Sequence, residues 1–183
     1  MNDQTNDPPS LTVEPIGQIF TAYTTTSSTP VQTALNSADQ ASVVLDEQYR
    51  SGLLELDGFD YAWLLTWMDP NPLDPAPPTL QQTPFLLTST PRPIGLFAMR
   101  GPRRPNPIGL HLVRIVLLRP DGFDFAGVDM VNGTRLLDIK PWVAPLDTPH
   151  GMSPGAPVRN GWFDTVNLGR PHTPDSLRAA ATD

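Results

Sequence analysis

HLVRIVLLRPDGFDFAGVDMVNGTRLLDIKPWV, residues 111–143, holds three β-rich runs separated by two turn signals, and this punctuation decides the fold class. Pro120-Asp121-Gly122 is the first turn: proline presets φ and glycine accepts φ > 0. Asn132-Gly133 is the second, the dipeptide of a two-residue hairpin loop. The expectation is a three-stranded antiparallel meander with strands at His111–Arg119, Phe123–Val131 and Thr134–Val143. With Asn132 and Gly133 as the loop residues, Val131 faces Thr134, Asp129 faces Leu136, Gly127 faces Asp138 and Phe125 faces Lys140. Asp129, Asp138 and Lys140 then share one sheet face. Gly127 leaves a hollow opposite Asp138 where backbone can approach a ligand. The alternative is an internal ion pair between Lys140 and one carboxylate, with ordinary core around it.

Working outward, further strands are expected at Val13–Phe20, Tyr61–Met68 and Ile94–Arg100. The 23 prolines break the chain too often for long helices, so the fold class is mainly β with a few short helices and long Pro-rich loops. Residues 36–56 offer the one plausible helix, and Leu73–Pro84 (LDPAPPTLQQTP) reads as an exposed connection between strands. Residues 1–10 read as a disordered lead, 11–165 as a single domain and 166–183 as a loosely held tail.

The chain has 183 residues and is 39 % apolar, the size of one domain able to bury roughly 70 % of its unfolded surface. It has no Cys, which excludes disulfides, a thiol nucleophile and Cys-ligated zinc. MNDQTNDPPS lacks the basic and apolar regions of a secretory signal, and no stretch is apolar enough to span a membrane, so a cytoplasmic protein is the plainer expectation. The net charge of −7 argues against a wholly nucleic-acid-binding surface. The distribution differs from the total. No Asp or Glu lies between Asp74 and Asp121, while Arg92, Arg100, Arg103, Arg104, Arg114 and Arg119, six of the twelve cations, fall in that gap. Such an island is either a solvated loop or an anion or nucleic-acid site.

Several motifs fail on chemistry. Gly151-Met152-Ser153-Pro154-Gly155 fits the serine-hydrolase elbow, but the residue after the serine must supply an oxyanion-hole N–H and Pro154 has none. Asn132-Gly133-Thr134 fits a glycosylation sequon that the turn explains. His111, His150 and His172 are scattered without ligand spacing, so no metal is expected. In RRPNPIG, residues 103–109, Pro105 and Pro107 drive Arg104 and Asn106 into extended geometry and hence onto one side of a stiff segment. A pre-ordered cation and amide need little further ordering to meet an anionic or hydrogen-bonding ligand.

The run IGLFAMRGPRRPNPIGLHLVRI (94–115), followed from Val131 by VNGTRLLDIKPW, resembles the two signature segments of the TsaA-like family, in order and at the family's spacing. VEPIGQIF, GLLELDGFDYAWLL and NGWFD are similar to its opening, middle and late segments, so the likeness runs from about Val13 to Trp162. The resemblance implies a TsaA-like β-barrel, usually a homodimer, that uses S-adenosyl-L-methionine to methylate, in the family's tRNA methyltransferases, N6 of a threonylcarbamoyl-modified adenosine beside the anticodon. It implies cofactor contacts at Pro30, Val31, Gln32, Asp69, Pro70, Arg100, Leu110, Ala126, Gly127, Val128 and Asp129, with Arg104, Pro105 and Asn106 near the site. For the acceptor's proton Asp69 and Asp138 are the catalytic candidates, while Lys140 with Asp138 either orients the acceptor or locks the barrel. Val31, Tyr61, Asp69, Met99 and Trp142 depart from the family pattern, which leaves open a different acceptor, a small molecule or another RNA, or a non-catalytic cofactor- or RNA-binding module.

Overall fold

The computed structural model describes residues 11–69, 77–87, 90–149, 151, 157–166 and 173. Six strands close into an antiparallel barrel: β1 Gly17–Phe20, β2 Gln40–Leu45, β3 Tyr61–Trp67, β6 Ile108–Arg119, β7 Gly122–Ala126 and β8 Thr134–Pro141, in the order β1-β2-β7-β6-β3-β8. A two-stranded ribbon, β4 Gln81–Gln82 with β5 Ile94–Gly95, lies in the long connection between β3 and β6. A short helix, α1 Ala144–Asp147, follows β8.

Alternation builds the core. On β3, Ala62, Leu64 and Thr66 point inward and are fully buried, while Tyr61, Trp63, Leu65 and Trp67 point outward. Phe123 and Phe125 of β7 meet edge to face inside the barrel, with Ile19, Val43, Val113 and Leu136 around them. Register shifts between Ile115 and Leu117 on β6, and on β8 opposite Leu65/Thr66, bend the strands as closure requires.

Three sequence expectations are corrected. Residues 36–56 are not a helix: Gln40–Leu45 is β2, burying Ala41, Val43 and Leu45, and Glu47–Leu53 is a 3-10 turn. Tertiary pairing of QASVVL with both β1 and β7 overrides its neighbours' helical composition. The 111–143 meander holds only in its first half. β6 pairs with β7, but β7 ends at Ala126, where Gly127 takes φ +96°, and its other edge belongs to β2. Asn132-Gly133 does turn the chain, with Thr134 N–H bonded to Val131 O, but it delivers β8 between β1 and β3, where Leu136 faces Gly17, Asp138 faces Leu65 and Lys140 faces Trp63. A turn dipeptide specifies a local reversal; barrel closure chose the partner. Finally, Ile94–Arg100 is strand only at β5, after which Leu96–Ala98 forms a 3-10 turn.

Because neighbouring strands alternate in direction, one rim of the barrel collects the ends of β1, β3 and β7 and the starts of β2, β6 and β8. The connections there are residues 21–39, 68–107 and 127–133. The opposite rim carries 46–60 and the Pro120-Asp121 turn.

Candidate functional site at the barrel rim

Every position at which cofactor contact is expected falls in the connections of this one rim or within three residues of it, apart from Pro70, which lies outside the described residues. Three segments are bonded together. The Gly127 and Val128 N–H groups donate to the carbonyls of Asp39 and Asn36, and Asn36 Nδ2 donates to Val128 O at 2.9 Å. Asp129 Oδ2 accepts the Thr33 N–H at 3.1 Å, which sets the turn after Pro30-Val31-Gln32 against the 126–129 loop. Tyr23 reinforces this through a hydroxyl bond to Asp39 and one from Asn36; burial, then the Asp39 carboxylate, raises the Tyr23 pKa above its ordinary value. Gly127 is buried, and only glycine takes its φ readily.

Asp129 is nearly buried, and its other oxygen lies 2.7 Å from His111 Nδ1. His111 Nε2 in turn meets the fully buried Thr66 hydroxyl at 2.9 Å. This line of side chains escaped the sequence reading, although a signal existed: Thr66 and His111 are polar residues at inward parity on adjacent strands.

RRPNPIG enters β6 at the same rim, with Met68 N–H bonded to Pro107 O. Arg104 donates to the carbonyls of Leu96 and Met99, so it braces the 3-10 turn that precedes Arg100. Asn106 is exposed. Trp162, from the NGWFD segment, donates to Ala98 O at 2.8 Å and holds the same turn from the other side. Of the cationic island, Arg119 is neutralised by Asp121 and Asp124. Arg92, Arg100 and Arg114 are exposed and have no partner among the described residues. Their charge is therefore available to an anion.

Asp69 forms an ion pair with Arg135 at the rim. Asp138 pairs with Lys140 at 2.7 Å farther down the outer face, where both side chains are open to solvent, so the pair forms but is not internal and no core surrounds it; Asp129 is not on that face. Beside this pair the outward residues of β3 and β6 form an apolar surface: Trp67 faces Ile108, Leu65 faces Leu110 and Trp63 faces Leu112, with Leu110 52 % exposed. Among the described residues no group of three or more His, Asp or Glu is arranged to hold a metal ion.

Such a closed six-stranded antiparallel barrel, with a buried polar network under one loop-rich rim, differs from the doubly wound α/β plan of nucleotide-binding sheets. Residues 18–148 match the family model described as the tRNA-methyltransferase O N-terminal domain, and the chain belongs to that family. It is 29 % identical over 154 residues to a rat tRNA (adenine(37)-N6)-methyltransferase, covering 79 % of this chain and 34 % of the rat protein. It is 28 % identical over 157 residues to a probable S-adenosyl-L-methionine-binding protein of Pyrococcus abyssi, covering 86 % of this chain and 78 % of that one. The crystal structure of TrmO from Pseudomonas aeruginosa superposes with a TM-score of 0.67 at 27 % identity, over 88 % of this chain and 66 % of that one. The chain thus spans about a third of the length of the curated mammalian relatives it matches.

Proposed function

We propose that this chain is an S-adenosyl-L-methionine-dependent methyltransferase domain acting on N6 of threonylcarbamoyl-modified adenosine beside the anticodon of tRNA, working as a cytoplasmic homodimer. The observation that carries the reading is the knitting of residues 30–33, 110–112 and 126–129 at one rim, within a chain whose residues 18–148 match the family model. The donor set suits the cofactor. Arg100 is an exposed guanidinium with no partner among the described residues, matched to a carboxylate. Val31 and Leu110 supply apolar contact, and Gly127 presents bare backbone.

The cofactor's sulfonium supplies an electrophilic methyl group for an in-line displacement, so the chain's work is alignment. Arg100 would hold the amino-acid end, while the 126–129 loop, fixed to Thr33 and Asn36, would orient the nucleoside end. For the proton leaving the acceptor nitrogen, Asp69 stands at the rim and Asp138 farther from it; both are held by cations, Arg135 and Lys140. Arg92 and Arg114, exposed and without a partner among the described residues, would meet tRNA phosphates. The apolar face of β3 and β6 would be covered by the second copy. Mass spectrometry of tRNA nucleosides from a deletion strain tests the acceptor: the N6-methylated form is expected to vanish and to return on complementation. Unchanged methylation, with expression shown in the parent, would rule it out.

A further inference from the structure

Asp129, His111 and Thr66 have the connectivity of a carboxylate–imidazole–hydroxyl triad, but Thr66 is 0 % exposed, so no substrate reaches that hydroxyl. The network has another use. We propose that His111 is a positioning residue that fixes the cofactor loop: through Asp129 it locks residues 126–130 and, beyond them, the turn at Thr33. The proposal rests on the methyl-donor reading above, since that reading gives the locked loops their task.

Geometry carries it. A carboxylate only accepts, so His111 Nδ1 carries the proton toward Asp129. In the neutral ring with its proton on Nδ1, Nε2 can only accept, so the Thr66 hydroxyl donates to it. That tautomer satisfies all the buried polar side-chain atoms involved, and among the described residues no buried side-chain polar atom is left without a partner. The imidazole thus ties β6 to β3 on one side and to the loop on the other. Asp129 reaches in two directions at once, to His111 with Oδ1 and to the Thr33 N–H with Oδ2. Take away the imidazole and a nearly buried carboxylate loses its strongest partner; it then gains by turning toward water, and the Thr33 turn goes with it. The sequence makes room for this device. A Cβ at Gly109 would come within 3.0 Å of both His111 Nε2 and Thr66 Oγ1, so the glycine of RRPNPIG seats the imidazole–hydroxyl bond. Neither His111 nor Thr66 need touch donor or acceptor; they hold the loop ready, which lowers the ordering cost of binding.

Two variants of the full chain separate positioning from mere bulk. His111→Asn keeps a donor at the Nδ1 position, whereas His111→Leu keeps volume and removes the donor. Hydrogen exchange at the Thr33 amide is expected to quicken roughly ten-fold or more in His111→Leu and to stay near wild type in His111→Asn. Calorimetric affinity for S-adenosyl-L-methionine is expected to follow the same order, with kcat at saturation little changed. Should His111→Leu not fold, nitrogen-15 NMR of the wild-type imidazole still decides: Nδ1 protonated and Nε2 accepting supports the lock, and the reverse tautomer overturns it. Equal Thr33 exchange and equal affinity in all three proteins would also overturn it. A wild-type chain giving no heat with S-adenosyl-L-methionine would sink the methyl-donor reading, whereas Thr33 exchange and the imidazole tautomer would still report on the lock by themselves.

Discussion

Replacing Gly109 by alanine adds one methyl group at the most crowded point of the polar network. Gly109 faces Thr66 across β3 and β6, and the new Cβ would lie within 3.0 Å of Thr66 Oγ1 and His111 Nε2 at once. Both strands are central in the barrel, so neither backbone can move aside cheaply. If the hydroxyl and imidazole part, each buried group loses its partner at about 1–3 kcal/mol. If they stay, overpacking costs about 1–3 kcal/mol. Parting costs roughly 2–6 kcal/mol and overpacking about 1–3 kcal/mol, so the cheaper route sets an expected loss of about 1–3 kcal/mol, a sizeable share of the ~5–15 kcal/mol that stabilises a domain. Urea unfolding of the two proteins measures it: with a slope of about 2 kcal/mol per molar, the midpoint should fall by roughly 0.5–1.5 M. Gly101→Ala is the control, since a Cβ there meets nothing within 4 Å. A Gly109→Ala midpoint indistinguishable from that of Gly101→Ala would refute the packing argument, and with it the placement of Thr66 and His111.

Arg100 and Arg104, four residues apart, should behave oppositely. Arg100→Ala should weaken S-adenosyl-L-methionine binding by about 1.5–3 kcal/mol with stability unchanged, because its guanidinium has no partner among the described residues. Arg104→Ala should cost about 1–3 kcal/mol of stability by freeing two carbonyls, read as a thermal shift. Ile108→Asp, on the apolar outer face, should convert a dimer to monomer in sedimentation velocity; a dimer that persists places the interface elsewhere. Tyr23 has a pKa raised above 10, so above that pH the unfolded chain loses its proton first. The native state then holds more protons, and stability is full below about pH 10 and falls as pH rises further. Tyr23→Phe should flatten that alkaline limb in denaturation curves between about pH 9 and 11, and identical limbs would exclude the contribution.

Strands β3, β6 and β8 were legible because their apolar residues alternate or run unbroken between strong turn signals. β2 was not: QASVVL alternates correctly, but DEQYRSGLL beside it is helical in composition, and only the two neighbouring strands decide between them. Asn132-Gly133 was legible as a turn and misleading as a hairpin, since closure hands the next strand to β1 and β3. At the site, chain order put Asp129 beside the Gly127 hollow, but the assumed β7–β8 pairing set it with Asp138 and Lys140 rather than with His111. RRPNPIG was expected to run extended, but the chain bends at residues 104–106, and that Arg104 braces Leu96 and Met99 depends on a turn that no local propensity announced. His111 was invisible as a ligand candidate because its partners come from residues 66 and 129, far away in the chain.

On the proposed reading, one rim of the barrel holds the methyl donor. Titrating the isotopically labelled chain with S-adenosyl-L-methionine and following backbone amide shifts tests it most directly. Shifts concentrated at residues 30–33, 69, 100, 110 and 126–129, with residues 46–60 of the opposite rim silent, are the predicted result. Shifts centred on 46–60, or none at saturating ligand, would contradict it.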